Sequence, residues 1–191
     1  SGGTEAIVRE RWSRSDDQRA SRRNGLTLRW QQPSWGCGPS LSIPARSSMP
    51  DTVVLNPESG TGSHAPAVRT LAVDYGYTVR ETERPGDAID HAAAAVEAGS
   101  TFVAAAGGDG TLNEVVRGIE AADALDRVTV GIVPCGTGNN VAANLGISGI
   151  DHAFEVFEGG KCRWVDLAFA DGRPFVNSCV GGLTAEASAA T

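Results

Sequence analysis

The stretch TFVAAAGGDGTLNEVV, Thr101 to Val116, decides how this chain is read. A mostly apolar run of strand length enters two glycines, an aspartate, a third glycine and a threonine. An amphipathic, helix-like pattern follows at once. A strand that turns through glycines into a helix is a unit of parallel α/β architecture. The glycines also suit a phosphate group, because they let the backbone come close and leave helix N–H groups facing it. Asp109 in the middle of such a loop is therefore the residue that needs explaining. A carboxylate repels phosphate unless something stands between them. The options are a Mg²⁺ ion bound through waters, a hydroxyl donating to the carboxylate, or a turn whose N–H groups it caps.

The same unit recurs outward from this centre. Residues 52–55 predict a strand followed by the turn-rich NPESGTGSH, and 65–75 a helix. Residues 77–82 predict a strand, with Asp87 as N-cap of a helix over 88–98. Residues 101–106 are the central strand and 112–122 its helix, with Thr111 to Glu114 fitting an S/T-x-x-E capping box. Residues 128–133 predict the next strand, PCGTGNN the next loop, then a short helix ending at Gly146 and another over 151–158. Strands alternating with helices of this length predict a parallel sheet covered on both faces. In such sheets ligands bind beyond the carboxyl ends of the strands. Three loops rich in Gly with Thr, Ser or Asn fall there: Asn56–Gly62, Gly107–Thr111 and Pro134–Asn140. Together they point to a phosphate-bearing ligand.

Composition narrows the choice. The chain has 191 residues, 41% hydrophobic, with net charge −7. Residues 1–48 carry eight arginines against four acids, +4, while 49–191 carry eight basic residues against 19 acids, −11. So acidic a body argues against nucleic acid as a partner. No apolar run is long enough to span a membrane. The four cysteines form no CxxC pair, which suggests neither a zinc site nor a disulfide framework. His64, His91 and His152 are scattered and read as surface residues, and Cys135 as a small turn residue. Neither GxxxxGK[ST] nor a GxGxxG after the first strand occurs, which disfavours P-loop and ordinary dinucleotide folds.

Taken in order, these motifs resemble the diacylglycerol kinase catalytic domain family, which includes lipid and sphingosine kinases and is related to NAD kinases. GGDGTLNEVV (107–116) looks like its signature. NPESG (56–60), TERPGDA (82–88) and PCGTGNNVAANLGI (134–147) are similar to its accompanying segments, and VDLAFADGRPFVNSCVGGLTAEA (165–187) to the opening of its second, β-rich domain. The resemblance implies an α/β fold, a three-layer parallel-sheet nucleotide-binding domain followed by the start of a truncated β-rich domain. It implies transfer of the γ-phosphoryl group of ATP, with Mg²⁺, to a lipid hydroxyl. Carried over by position, the nucleotide would be held by Asn56, Pro57, Glu58, Ser59, Gly60, Thr82, Gly107, Gly108, Asp109, Gly110, Thr111, Leu112, Asn113 and Thr137. Asp109 would be catalytic and the indirect metal contact. Asn140 stands where the family often has Asp, and Thr184 replaces an Asp of a second-domain motif.

The expected organisation is an atypical extension over 1–48, disordered or a mis-called start before Met49, then an α/β ATP-binding domain over 49–160. Residues 161–191 are expected to be the first strands of an incomplete β-rich domain, with the general base beyond Thr191. The expected partners are ATP and a lipid alcohol at a membrane surface, with no nucleic acid. The expected location is cytoplasmic with peripheral membrane contact, and a homo-oligomer is left open. The alternatives are a kinase on a soluble acceptor such as NAD, or an inactive truncated gene product.

Overall fold

The structure, a computed structural model, describes residues 5–9, 41–42, 51–159, 161–165, 167–170 and 172–177. Along the chain run β1 (Glu5–Arg9), β2 (Leu41–Ser42), β3 (Thr52–Leu55), α1 (Ala65–Asp74), β4 (Thr78–Glu81), α2 (Asp87–Glu97), β5 (Phe102–Gly107) and α3 (Asp109–Ala121). They continue with β6 (Thr129–Pro134), α4 (Asn140–Asn144), α5 (Ile150–Gly159), β7 (Lys161–Trp164), β8 (Ala168–Ala170) and β9 (Arg173–Phe175). The larger sheet has the order β2-β7-β1-β6-β5-β3-β4, and β8 and β9 form a separate antiparallel pair.

Four strands, β6-β5-β3-β4, are mutually parallel and form the expected α/β centre. Every residue of β3 and of β5 is buried. That is why TVVL and FVAAAG read as continuous apolar runs rather than alternating ones: helices cover both faces. α2 and α3 pack on one face and α1 and α5 on the other. The α2–α3 contact is close because the facing residues are small. A Cβ on Gly118 would meet the carbonyl oxygen of Ile89 and lie 2.8 Å from the Ala92 Cβ. The opposite layer is aromatic: Tyr75, Tyr77, Phe102, Phe154 and Phe157 stack or meet edge to face, with centroids 5.0–6.1 Å apart.

Because β3 pairs with both β4 and β5, the chain winds outward to β4 and then returns to the other side of β3. The loops after β3 and β5 therefore leave toward opposite layers and open a crevice at the carboxyl edge. Two segments of the 1–48 stretch, where the sequence shows no period, occupy strand positions: β1 runs antiparallel to β6 and parallel to β7, and β2 antiparallel to β7. Within 161–191, expected to open a β-rich domain, β8 and β9 pair antiparallel. Asp166, Thr184 and the rest of the GLTAEA segment lie outside the described residues.

Two expected helix starts are corrected. α3 begins at Asp109, not at 112, so the Asp-Gly-Thr of the motif is the helix's first turn with Gly108 as N-cap. Thr111 is thus inside the helix and Thr111–Glu114 is no capping box. α2 begins at Asp87, with Gly86 (φ +92°) in the N-cap position, so Asp87 is not its cap. The reason is the same in both cases: a glycine ahead of the acid makes the entry, which frees the carboxylate to bond elsewhere.

Candidate functional site

Four loops meet at the crevice and line a cleft of about 550 Å³. From the sequence-predicted set, Asn56, Glu58, Ser59, Gly60, Thr82, Gly108, Asp109, Gly110, Thr111 and Thr137 line it. Pro57, Gly107, Leu112 and Asn113 do not. Gly107 ends β5, and Leu112 is buried in the core at 2% exposure. Asn113 carries a buried amide oxygen with no hydrogen-bond partner among the described residues. The lining also includes residues that were not predicted to bind: Glu83, Arg84, Pro85, Ala88, Glu114, Gly136 and Gly138. All but Glu114 lie in or beside TERPGDA and PCGTGNN, so motif membership was the available signal.

The loops are fastened to one another. Asn56 closes its own turn, its Oδ1 accepting from the Glu58 N–H at 3.0 Å, while its Nδ2 donates to Thr111 Oγ1 at 3.3 Å. The Ser59 hydroxyl accepts from the Gly108 N–H at 3.2 Å. Gly138 C=O accepts from the Asp109 N–H at 3.0 Å. Asn139 braces the third loop, accepting from the Gly136 N–H at 3.0 Å and donating to Gly136 C=O at 2.6 Å. His64, expected at the surface, is 9% exposed and donates from Nε2 to Asn56 C=O at 3.0 Å. A ring at that depth braces the first loop from behind.

Glycine is required where the second and third loops cross. A Cβ on Gly136 would meet the Gly108 Cα and lie 2.6 Å from the Gly108 nitrogen. One on Gly108 would lie 2.9 Å from Gly138 C=O. Backbone rests directly on backbone here, a spacing that no side chain permits.

The Asp109 carboxylate, at the cleft, is engaged by the start of α4. Its Oδ2 accepts from the Asn140 N–H at 3.0 Å and its Oδ1 from the Val141 N–H at 3.2 Å, the first two residues of α4. The carboxylate therefore satisfies orphan donors and the positive end of that helix. A third donor, Asn177 Nδ2, lies 2.9 Å from Oδ2. Meanwhile the N–H groups of Gly110 and Thr111, in the first turn of α3, have no acceptor among the described residues. The motif thus carries a negative charge spent on α4 and a pair of unspent donors at the cleft.

Glu114 reaches across the cleft instead of capping its own helix. Both its oxygens lie 3.3 Å from the Gly86 N–H, which they accept at the start of α2. Asp87 faces backward: its carboxylate accepts from the Glu83 and Arg84 N–H groups at 2.9 and 3.0 Å and pairs with the Arg84 guanidinium at 3.0 Å. The bond from the Glu83 N–H above all, with those from Arg84, holds the Asp87 carboxyl below the usual carboxylate range. A depressed folded-state pKa stabilises this turn above the unfolded value, about 3.9. That contribution is lost as pH falls through the folded value. An NMR titration should place the Asp87 midpoint below that of a model peptide; a midpoint at or above about 3.9 contradicts the assignment. Burial pushes the Cys135 thiol up to about 12, so it is no nucleophile near neutrality.

Magnesium can be tested against this donor set. No group of three or more His, Cys, Asp or Glu residues that could hold a metal occurs among the described residues. Asp109, with three donors on its roughly four lone-pair positions, keeps room for one more contact. That fits an ion held mainly by phosphates and waters and met by one carboxylate. The described lining carries Glu58, Glu83, Asp109 and Glu114 against the single cation Arg84, so an anionic ligand is repelled unless it arrives with a cation.

An open sheet with a four-strand parallel centre and its cleft at the switch point, floored by a strand–Gly-rich turn–helix unit, defines a doubly wound α/β domain. Residues 50–170 match the diacylglycerol kinase catalytic domain, and the chain belongs to that family. It is 35% identical over 141 residues to a diacylglycerol kinase of Bacillus subtilis (strain 168), covering 70% of this chain and 46% of that protein. It is 36% identical over 107 residues to a "Probable lipid kinase YegS-like" of Enterobacter sp. (strain 638), covering 55% of this chain and 36% of that protein. A crystal structure of a diacylglycerol kinase from Bacillus anthracis str. Sterne superposes with TM-score 0.57 at 25% identity, over 67% of this chain and 48% of that one. The chain thus spans less than half the length of each of these relatives. Among the described residues no helix is long and apolar enough to cross a membrane.

Proposed function

We propose that the cleft binds ATP with Mg²⁺ and transfers its γ-phosphoryl group to the hydroxyl of a lipid of the diacylglycerol class. The observation that carries this reading is the pair of unspent N–H donors at Gly110 and Thr111, set in a crevice where four loops converge. Such donors recognise phosphate oxygens without a lysine. Family membership supplies the reaction class, and the names of the relatives supply the lipid acceptor.

In this reading Asn56, Glu58, Ser59, Gly60, Thr82, Gly108 to Thr111 and Thr137 touch the nucleotide, and Pro57 shapes the first loop. Gly107, Leu112 and Asn113 act from beneath by fixing the turn. The acceptor oxygen attacks the γ-phosphorus, the bond to the β,γ-bridging oxygen breaks, ADP leaves with that bond's electron pair and the hydroxyl proton passes to water. Little covalent work falls to the protein; positioning and charge neutralisation dominate. Bound Mg²⁺ would neutralise charge on the phosphates beside Asp109. Asp109 itself, surrounded by donors, keeps α4 and the third loop in place and faces the metal–nucleotide rather than taking the proton.

The test is transfer from γ-labelled ATP to diacylglycerol in mixed vesicles, with NAD and excess EDTA as parallel arms. The expected product is labelled phosphatidic acid, abolished by EDTA. Label on NAD alone overturns the acceptor, and no labelled product with any acceptor overturns the reading.

A further inference from the structure

We infer that Asn177 is a positioning residue that latches the β8–β9 unit to the nucleotide cleft through Asp109. The inference rests on the nucleotide-transfer reading of that cleft. Asn177 lies two residues after β9, which packs against α3. Its Nδ2 donates to Asp109 Oδ2 across 2.9 Å, from 68 residues away in sequence. Among the described residues it is the one side chain that donates to this carboxylate; the other two donors are the backbone N–H groups of Asn140 and Val141. Asp109 therefore joins three parts of the chain at one carboxylate: the first turn of α3, the start of α4 and the segment after β9.

The chemistry of the latch suits an amide. A lysine or arginine here would neutralise Asp109 and weaken its hold on a metal–nucleotide. A carboxylate would repel it. An amide donates a hydrogen bond and leaves the charge of Asp109 intact. The nucleotide loops have their own fastenings, Asn56 to Thr111, Ser59 to Gly108 and Asn139 to Gly136, none of which passes through Asn177. Loss of the latch should therefore disturb how Asp109 and the β8–β9 unit are held together beside the cleft, and with that the transfer step, rather than how the nucleotide binds.

The test compares Asn177→Ala, Asn177→Asp and Asn177→Gln in the full chain. Expected for Asn177→Ala is a fall in kcat of about tenfold, with KM for Mg-ATP within about twofold. Asn177→Asp should fall further, by about a hundredfold, and Asn177→Gln should recover part of the loss by restoring a donor. KM rising as steeply as kcat falls, or kcat unchanged in the alanine and aspartate variants, overturns the latch. A second readout needs no turnover: amide hydrogen exchange of the nucleotide-free protein. Exchange over 172–177 should quicken at least tenfold in Asn177→Ala while that of Gly110 to Glu114 holds. If wild type transfers no phosphate, the function proposal fails and exchange alone judges the latch; unchanged exchange refutes it.

Discussion

Gly136→Ala is expected to weaken Mg-nucleotide binding by about a hundredfold or more while leaving the sheet intact. A hundredfold is about 2.8 kcal/mol, the worth of one or two charge-assisted phosphate contacts. The added methyl has nowhere to go, because it meets the Gly108 Cα and nitrogen rather than the end of a flexible side chain. The third loop must lift off the second. Gly138 C=O then loses the Asp109 N–H, and the Asp109 carboxylate loses its register on Asn140 and Val141. Calorimetric titration with a Mg-bound nonhydrolysable ATP analogue measures the loss, and far-UV circular dichroism checks that the fold survives. Affinity within threefold of wild type would mean that the close crossing of the two loops is not what shapes the cleft.

Phe154→Ala carries the largest expected cost in stability, about 3–5 kcal/mol. Phe154 is fully buried on α5, stacked on Tyr75 at 5.6 Å and edge-on to Tyr77 and Phe157 at 5.9 and 5.5 Å. The stiff rings around it cannot collapse into the space left behind, so both transfer and cavity costs fall due. Urea unfolding should show a lower midpoint with an unchanged slope. A loss under about 1 kcal/mol would mean that the aromatic layer repacks.

The contrast between those two residues tracks what could be read in advance. The strand–glycine–helix pattern of 101–116 and its repeats placed the parallel sheet, because apolar runs and glycines report local conformation directly. The loops at the carboxyl edge followed from the same pattern. Side-chain destinations did not. Asp109 bonds N–H groups 31 and 32 residues further on, and Glu114 a nitrogen 28 residues back. No periodicity encodes a partner at that distance, so Thr111–Glu114 matched a local capping box that the fold does not use. His64 was misplaced for a related reason: burial of one ring behind a loop leaves no repeating trace. Asn177 was likewise invisible as a contact, since only tertiary folding brings it to Asp109.

The central claim is that Gly110 and Thr111 offer the phosphate-binding donors while Asp109 is spent on α4. Amide chemical shifts of the uniformly ¹⁵N-labelled chain test this directly, recorded as a Mg-bound nonhydrolysable ATP analogue is titrated in. The Gly110 and Thr111 resonances should move furthest and saturate together with those of Gly60 and Gly136. Saturable shifts elsewhere with Gly110 and Thr111 unmoved, or no shifts at all, would contradict it.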